Sequence, residues 1–186
     1  PYYYYDLDWI VTVCNMDPKI RPFETVKEND EEVIVKTGFD AICRKKFSAP
    51  MPEFIDFETN TLEKLESLEF DPPDHKRRFF EAGDNQIAGV GDGFERNSPP
   101  WIETVKSLWP DFPVFGSVIE CNECLTRLIG PENNMLWIGM YPDRMGKQIN
   151  RIGEFYYQLA KAQMDAGEDY LDGFVIWGDV AYRNNM

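Results

Sequence analysis

Residues 143–167 place Met145, Ile149, Ile152, Tyr156 and Leu159 at a 4-3-4-3 spacing. That spacing predicts a long helix with one apolar face, closed by Ala166-Gly167. On either side stands a β-rich run without alternation, Phe112-Pro113-Val114-Phe115-Gly116-Ser117-Val118-Ile119 before the helix and residues 171–177 after it. Continuous apolar runs of this length read as strands buried on both faces. Strand, helix and strand with short joints predict parallel strands covered by helices, an α/β fold.

The remaining segments fit around that unit. Trp9-Ile10-Val11-Thr12-Val13-Cys14 reads as another strand buried on both faces, ended by Asn15 and Asp17-Pro18. Residues 32–37, Gly38 and residues 41–44 read as an antiparallel excursion with a turn. Residues 61–68 carry apolar side chains at 62, 65 and 68, one face of a short helix, and Asp74 is placed to cap a second one through Phe80. Gln86-Ile87-Ala88-Gly89-Val90-Gly91-Asp92 reads as a short strand with a Gly-rich end. Pro99-Pro100 opens a helix holding Trp101, Val105 and Leu108, and a helix from Asn122 stops at Gly130. Gly- and acid-rich strand ends then fall on one edge of the sheet, where α/β proteins place their sites.

Composition narrows the function classes. The chain has 186 residues, one ordinary domain in length, with 43% apolar and 15% aromatic residues, enough for a packed core. Its 19 Lys and Arg against 33 Asp and Glu give a net charge of −14. That balance excludes a nucleic-acid binder, which needs a basic face to displace counterions. No run approaches the roughly 18–20 apolar residues of a membrane span, and the opening Pro1-Tyr2-Tyr3-Tyr4-Tyr5-Asp6 is no signal peptide. Four cysteines are too few for a disulfide-stapled secreted fold, so the expectation is a reduced, cytoplasmic protein.

Three groups of residues suggest chemistry. Cys121-Asn122-Glu123-Cys124 opens a helix after a strand, where a thiolate is favoured, so it is a candidate redox pair or half of a zinc site. The alternative is two small residues packing the first helical turn. Carboxylates at strand ends, Asp92, Glu120 and Asp179, would converge on one mouth as acid, base or orienting groups, or would each cap the following helix. Asp179 stands with Trp177 and Tyr182 beside it. Glu120 with a further carboxylate also allows a barrel glycosidase. His75 lies in the charge run Asp74-His75-Lys76-Arg77-Arg78 and reads as solvated; Gly89-Val90-Gly91-Asp92-Gly93 lacks the spacing of a dinucleotide fingerprint. The acid-rich residues 28–32 read as a solvated turn.

Four segments occur in order along the chain. They are Phe70-Asp71-Pro72-Pro73-Asp74-His75-Lys76-Arg77-Arg78-Phe79, Phe115-Gly116-Ser117-Val118-Ile119-Glu120, Leu128-Ile129-Gly130-Pro131-Glu132-Asn133 and Asp172-Gly173-Phe174-Val175-Ile176-Trp177-Gly178-Asp179-Val180-Ala181-Tyr182. Taken together they resemble the uroporphyrinogen decarboxylase-like family, the last looking like its fifth barrel strand and following loop. The resemblance implies that residues 1–186 are one partial (β/α)8 TIM barrel domain, from about the second strand to the fifth, of a fold roughly twice this length. A partial barrel leaves strand edges unpaired, so these residues alone are expected to be marginally folded.

The family has two chemistries. Its decarboxylases remove carboxyl groups from tetrapyrrole acetates without a cofactor, using an Asp, with Arg residues holding the substrate. Its methyltransferases move a methyl group between a corrinoid protein and a small thiol, using zinc held by a His-x-Cys pair and a later Cys. Here the second strand reads Asp8-Trp9-Ile10-Val11-Thr12-Val13-Cys14-Asn15 and the fourth ends in Glu120-Cys121, a departure from the decarboxylase pattern. An acidic mouth also suits a polyanionic tetrapyrrole poorly. The resemblance therefore implies methyl transfer, with Asp179 and Glu120 catalytic and Trp177, Tyr182, Asp92 and Asn15 binding substrate. Zinc ligands are expected outside this chain and the corrinoid on a partner protein.

Overall fold

The computed structural model describes residues 4–49, 52–85 and 95–178. Strand β1 (Ile10–Val11) is followed by β2 (Glu24–Glu28), β3 (Glu32–Lys36), β4 (Ala41–Lys46) and β5 (Glu53–Phe57). Helix α1 (Leu62–Ser67) precedes the strands β6 (Gly83–Asn85) and β7 (Glu95–Ser98) and helix α2 (Trp101–Leu108). Then come β8 (Val114–Ile119), α3 (Cys121–Ile129), α4 (Pro131–Met140), α5 (Pro142–Gly167) and β9 (Gly173–Trp177).

The fold is mixed α/β. A parallel sheet runs β1-β8-β9, an antiparallel sheet runs β2-β3-β4-β5, and β6 pairs with β7. Among the described residues, none of these small sheets closes on itself. Ile10 pairs with Val114, and residues 115–119 pair in register with 173–177. The antiparallel excursion is as the sequence suggested, widened by β2 and β5. Its inner face buries Val33, Val35 and Cys43 with Phe23.

The parallel sheet is layered mainly on one side. Trp101 of α2 donates from Nε1 to Thr12 Oγ1 (3.1 Å), and Gln163 of α5 reaches Gly116 and Ser117. On that helix-covered face Ile10, Thr12, Cys14, Val114, Gly116 and Val118 are buried. Side chains alternate between faces along a strand. On the opposite face Val11, Val13, Phe115 and Val175 are half-buried and Trp177 is exposed; Ser117 and Ile119 are its buried members. Phe115 there meets the Trp9 ring, centroids 5.4 Å apart.

Several expectations change. The count of barrel strands does not hold, because β1 bonds directly to β8 and leaves no room for a strand between them. The segment expected there, residues 86–92, lies outside the described residues. β9 is not a buried strand: Ile176 is 70% exposed and Trp177 45%. Nothing described covers the sheet beyond β9. β1 holds only two residues in its ladder and alternates between buried and half-buried. His75, not Asp74, caps the short 3₁₀ turn Lys76–Arg78, its Nδ1 accepting from the Arg77 N–H, while its ring stays exposed as expected.

Candidate functional site

Parallel pairing puts the C-terminal ends of β8 and β9 side by side, so Glu120 and Trp177 emerge together; Asn15 follows β1 towards the same edge, beyond its last ladder residue Val11. The Glu120 N–H donates to the Trp177 carbonyl at 2.8 Å. Its carboxylate accepts from the Asn122 and Glu123 N–H groups, each at 2.6 Å, and so caps α3. The side chain lies against Gly178, where no Cβ would fit. Trp177 offers a half-exposed indole. Asp179, Tyr182 and Asp92 lie outside the described residues.

Asn15 is held from two directions. Its Oδ1 accepts from the Asp17 N–H (3.1 Å), and its carbonyl accepts from Arg78 Nη1 (3.0 Å). A cavity of about 380 Å³ runs along β1's open edge past Asn15, with Arg21, Arg77, Glu81, Ser98 and Trp101 in its wall. Its cations already have partners. Arg77 faces Glu81 at 3.4 Å, and Arg21 bonds Asp40 and the Thr37 carbonyl. Arg78, 1% exposed, donates to the carbonyls of Asn15, Asp17, Asp71 and Pro72, with Phe155 stacked against its guanidinium. Burial lowers its pKa. In a run of charges, this buried arginine gave no sign of itself in the sequence.

Two further residues were not legible. β1 and β8 part beyond Thr12, whose N–H donates the last ladder bond to the Phe115 carbonyl. Gln163 fills the gap: its Oε1 accepts from the Ser117 N–H and its Nε2 donates to the Ser117 carbonyl (3.2 and 2.8 Å). Gly116 makes this possible, since a Cβ there would press on both Gln163 and Phe174. Asp17 is the other. It is 5% exposed, and burial raises its carboxyl to about 6, against the opposing pull of Arg127, Arg78 and the Gly38 N–H. A carboxylate after Asn15-Met16 and before Pro18 has the sequence of an exposed turn, which is why it escaped notice.

Of the Cys121 and Cys124 pair, one thiol is sealed from solvent and the other is half-buried. Cys124 is fully buried, hydrogen-bonds the Tyr156 hydroxyl, and burial pushes its thiol up to about 12. Cys121 is raised by burial and by Glu120. All four cysteines are free thiols, with Cys14 and Cys43 also pushed up to about 12 by burial. The helix N-terminus that would favour a thiolate is outweighed by desolvation. Among the described residues no group of three or more His, Cys, Asp or Glu side chains could hold a metal ion. No described helix is long and apolar enough to cross a membrane.

No family model, no curated protein and no solved structure matches this chain.

Proposed function

We propose that the protein is an enzyme of the uroporphyrinogen decarboxylase-like type that transfers a methyl group from a corrinoid protein to a small thiol. On this reading β1, β8 and β9 are three consecutive strands of a (β/α)8 barrel. The observation that carries it is the one-sided layering of the parallel sheet. Parallel sheets are normally covered on both faces. A barrel meets that need by curling the sheet around its own second face, here the half-buried Val11, Val13, Phe115 and Val175. The four resembling segments supply the family, and the shared strand ends supply the mouth.

On this reading a corrinoid would supply the methyl group, and zinc, if bound, would keep the acceptor thiol as thiolate near neutral pH. The described residues do not fit a zinc ion, and the reading assigns its ligands to residues outside 1–186. Within the chain, Trp177 would provide a flat apolar wall at the mouth and Asn15 a polar contact beyond the end of β1. Glu120 holds α3 in place through its two cap bonds and contributes negative charge. Asp179, Tyr182 and Asp92 keep the catalytic and binding roles given them by the resemblance. Tetrapyrrole decarboxylation is the second reading, favoured by the arginines around the cavity. It ranks lower because those guanidiniums are already bonded to protein groups.

The test uses the full chain, loaded with zinc, and supplied with methylcobalamin and a panel of small thiols. Methyl thioether is the expected product, reduced at least about tenfold by Trp177→Ala. Carbon dioxide released from uroporphyrinogen, without thioether, would move the assignment to the second reading. Neither product would overturn both.

A further inference from the structure

We infer that Asp17 is a proton-operated latch that seats the antiparallel sheet on the active edge of the parallel one. The loop after β1 and the turn between β3 and β4 are stitched together. The Lys19 N–H donates to the Gly38 carbonyl (3.0 Å), and Arg21 bonds the Thr37 carbonyl and the Asp40 carboxylate. At the centre, the Asp17 carboxylate accepts from the Gly38 backbone N–H and occupies the space that a side chain on Gly38 would need. Thr37, Gly38 and Phe39 are all buried, so the carboxyl group is sealed in this joint.

The charged surroundings come from every element packed on it: Arg21 in its own loop, Arg78 from the 3₁₀ turn and Arg127 from α3. Each also has other partners. Arg21 holds Asp40, Arg127 pairs with Glu123 at 2.7 Å, and Arg78 is spent on four carbonyls. The titratable neighbours Cys14, Cys43, Cys124 and Tyr156 are kept protonated by burial through neutral pH. Asp71 is engaged by the Ile20 N–H. The folded value of Asp17 is about 6 against an ordinary 3.8, so its proton changes in the joint between pH 4 and pH 7. Because the folded value is the higher, the seating is tightest below pH 4 and loosens as pH rises through 6. The difference permits a change of up to about a hundredfold in the opening equilibrium.

The experiment is backbone hydrogen exchange over residues 37–46 in the full chain, comparing wild type with Asp17→Asn at the same pH. At pH 4.5 the two are expected to open within a few-fold of each other. At pH 7.5 wild type should open at least about tenfold more than the variant. A ratio that does not change with pH would overturn the latch. If the variant does not fold, the carboxyl ¹³C shift of Asp17 in wild type decides: an inflection near 6 supports the latch and one near 4 overturns it. Neither readout depends on methyl transfer.

Discussion

At the residue scale, the edge that carries Asn15 is built by side chains that touch no solvent. Arg78 binds four carbonyls of the two segments flanking it; its removal strips a donor from each, while the Pro72 carbonyl keeps another, the His75 N–H. Arg78→Met is expected to destabilise the fold by about 3 kcal/mol or more in urea denaturation. Gln163→Leu keeps the volume but strips both backbone partners from Ser117, and a loss of about 1–3 kcal/mol is expected. The thiols make the opposite prediction, of inertness. A thiol near 12 is ionised to about one part in ten thousand at pH 8, so native protein should react with a thiol reagent at Cys121 at most, and at all four positions only when unfolded. Rapid native labelling of Cys14 or Cys124 would contradict the burial described here. Chemistry of this sort is hard to read from sequence. Arg78 and Asp17 sit in charge-rich or turn-like strings whose ordinary fate is solvent; the return of the chain at Gly38 encloses Asp17, and four carbonyls with the Phe155 ring enclose Arg78.

At the scale of elements, the helices were the most legible. The 4-3-4-3 spacing of residues 143–167 became α5, with Met145, Ile152, Tyr156 and Leu159 buried on one face. Thr61 caps α1 through Oγ1, and Gly130 ends α3. A periodic face reports its own burial, since it must lie against something. Strands report less. An apolar run such as residues 171–177 has no period to say whether one face or two are covered, and β9 is an outer strand among the described residues. Nor does sequence order state pairing, so the direct contact of β1 with β8 had to come from the structure. Glu120 shows the same limit at a junction: strand-end acid and helix cap are one residue, and its position alone does not choose between them. The cap predicts that Glu120→Ala lowers stability by about 1–2 kcal/mol, while Glu120→Asp, one methylene shorter, loses less. Equal stability of all three would remove the cap from the account.

At the scale of the whole molecule, a parallel sheet with helices on one face calls for a cover on the other. Val11, Val13, Phe115, Val175 and Trp177 form that second face, with Ile176 exposed beyond the last helix contact. Residues 1–186 expressed alone are therefore expected to bind a hydrophobic dye and melt over a broad range. A sharp transition without dye binding would mean that the second face is already closed. The proposed family reading rests on four short segments, and the site it proposes lies at the C-terminal strand ends of the parallel sheet. The most direct measurement is an NMR footprint of methylcobalamin on the full chain. Shift changes clustered at Asn15, Glu120 and Trp177, at the C-terminal ends of β1, β8 and β9, are the predicted result. Changes confined to the opposite strand ends near Ile10, Val114 and Gly173, or none at all, would contradict it.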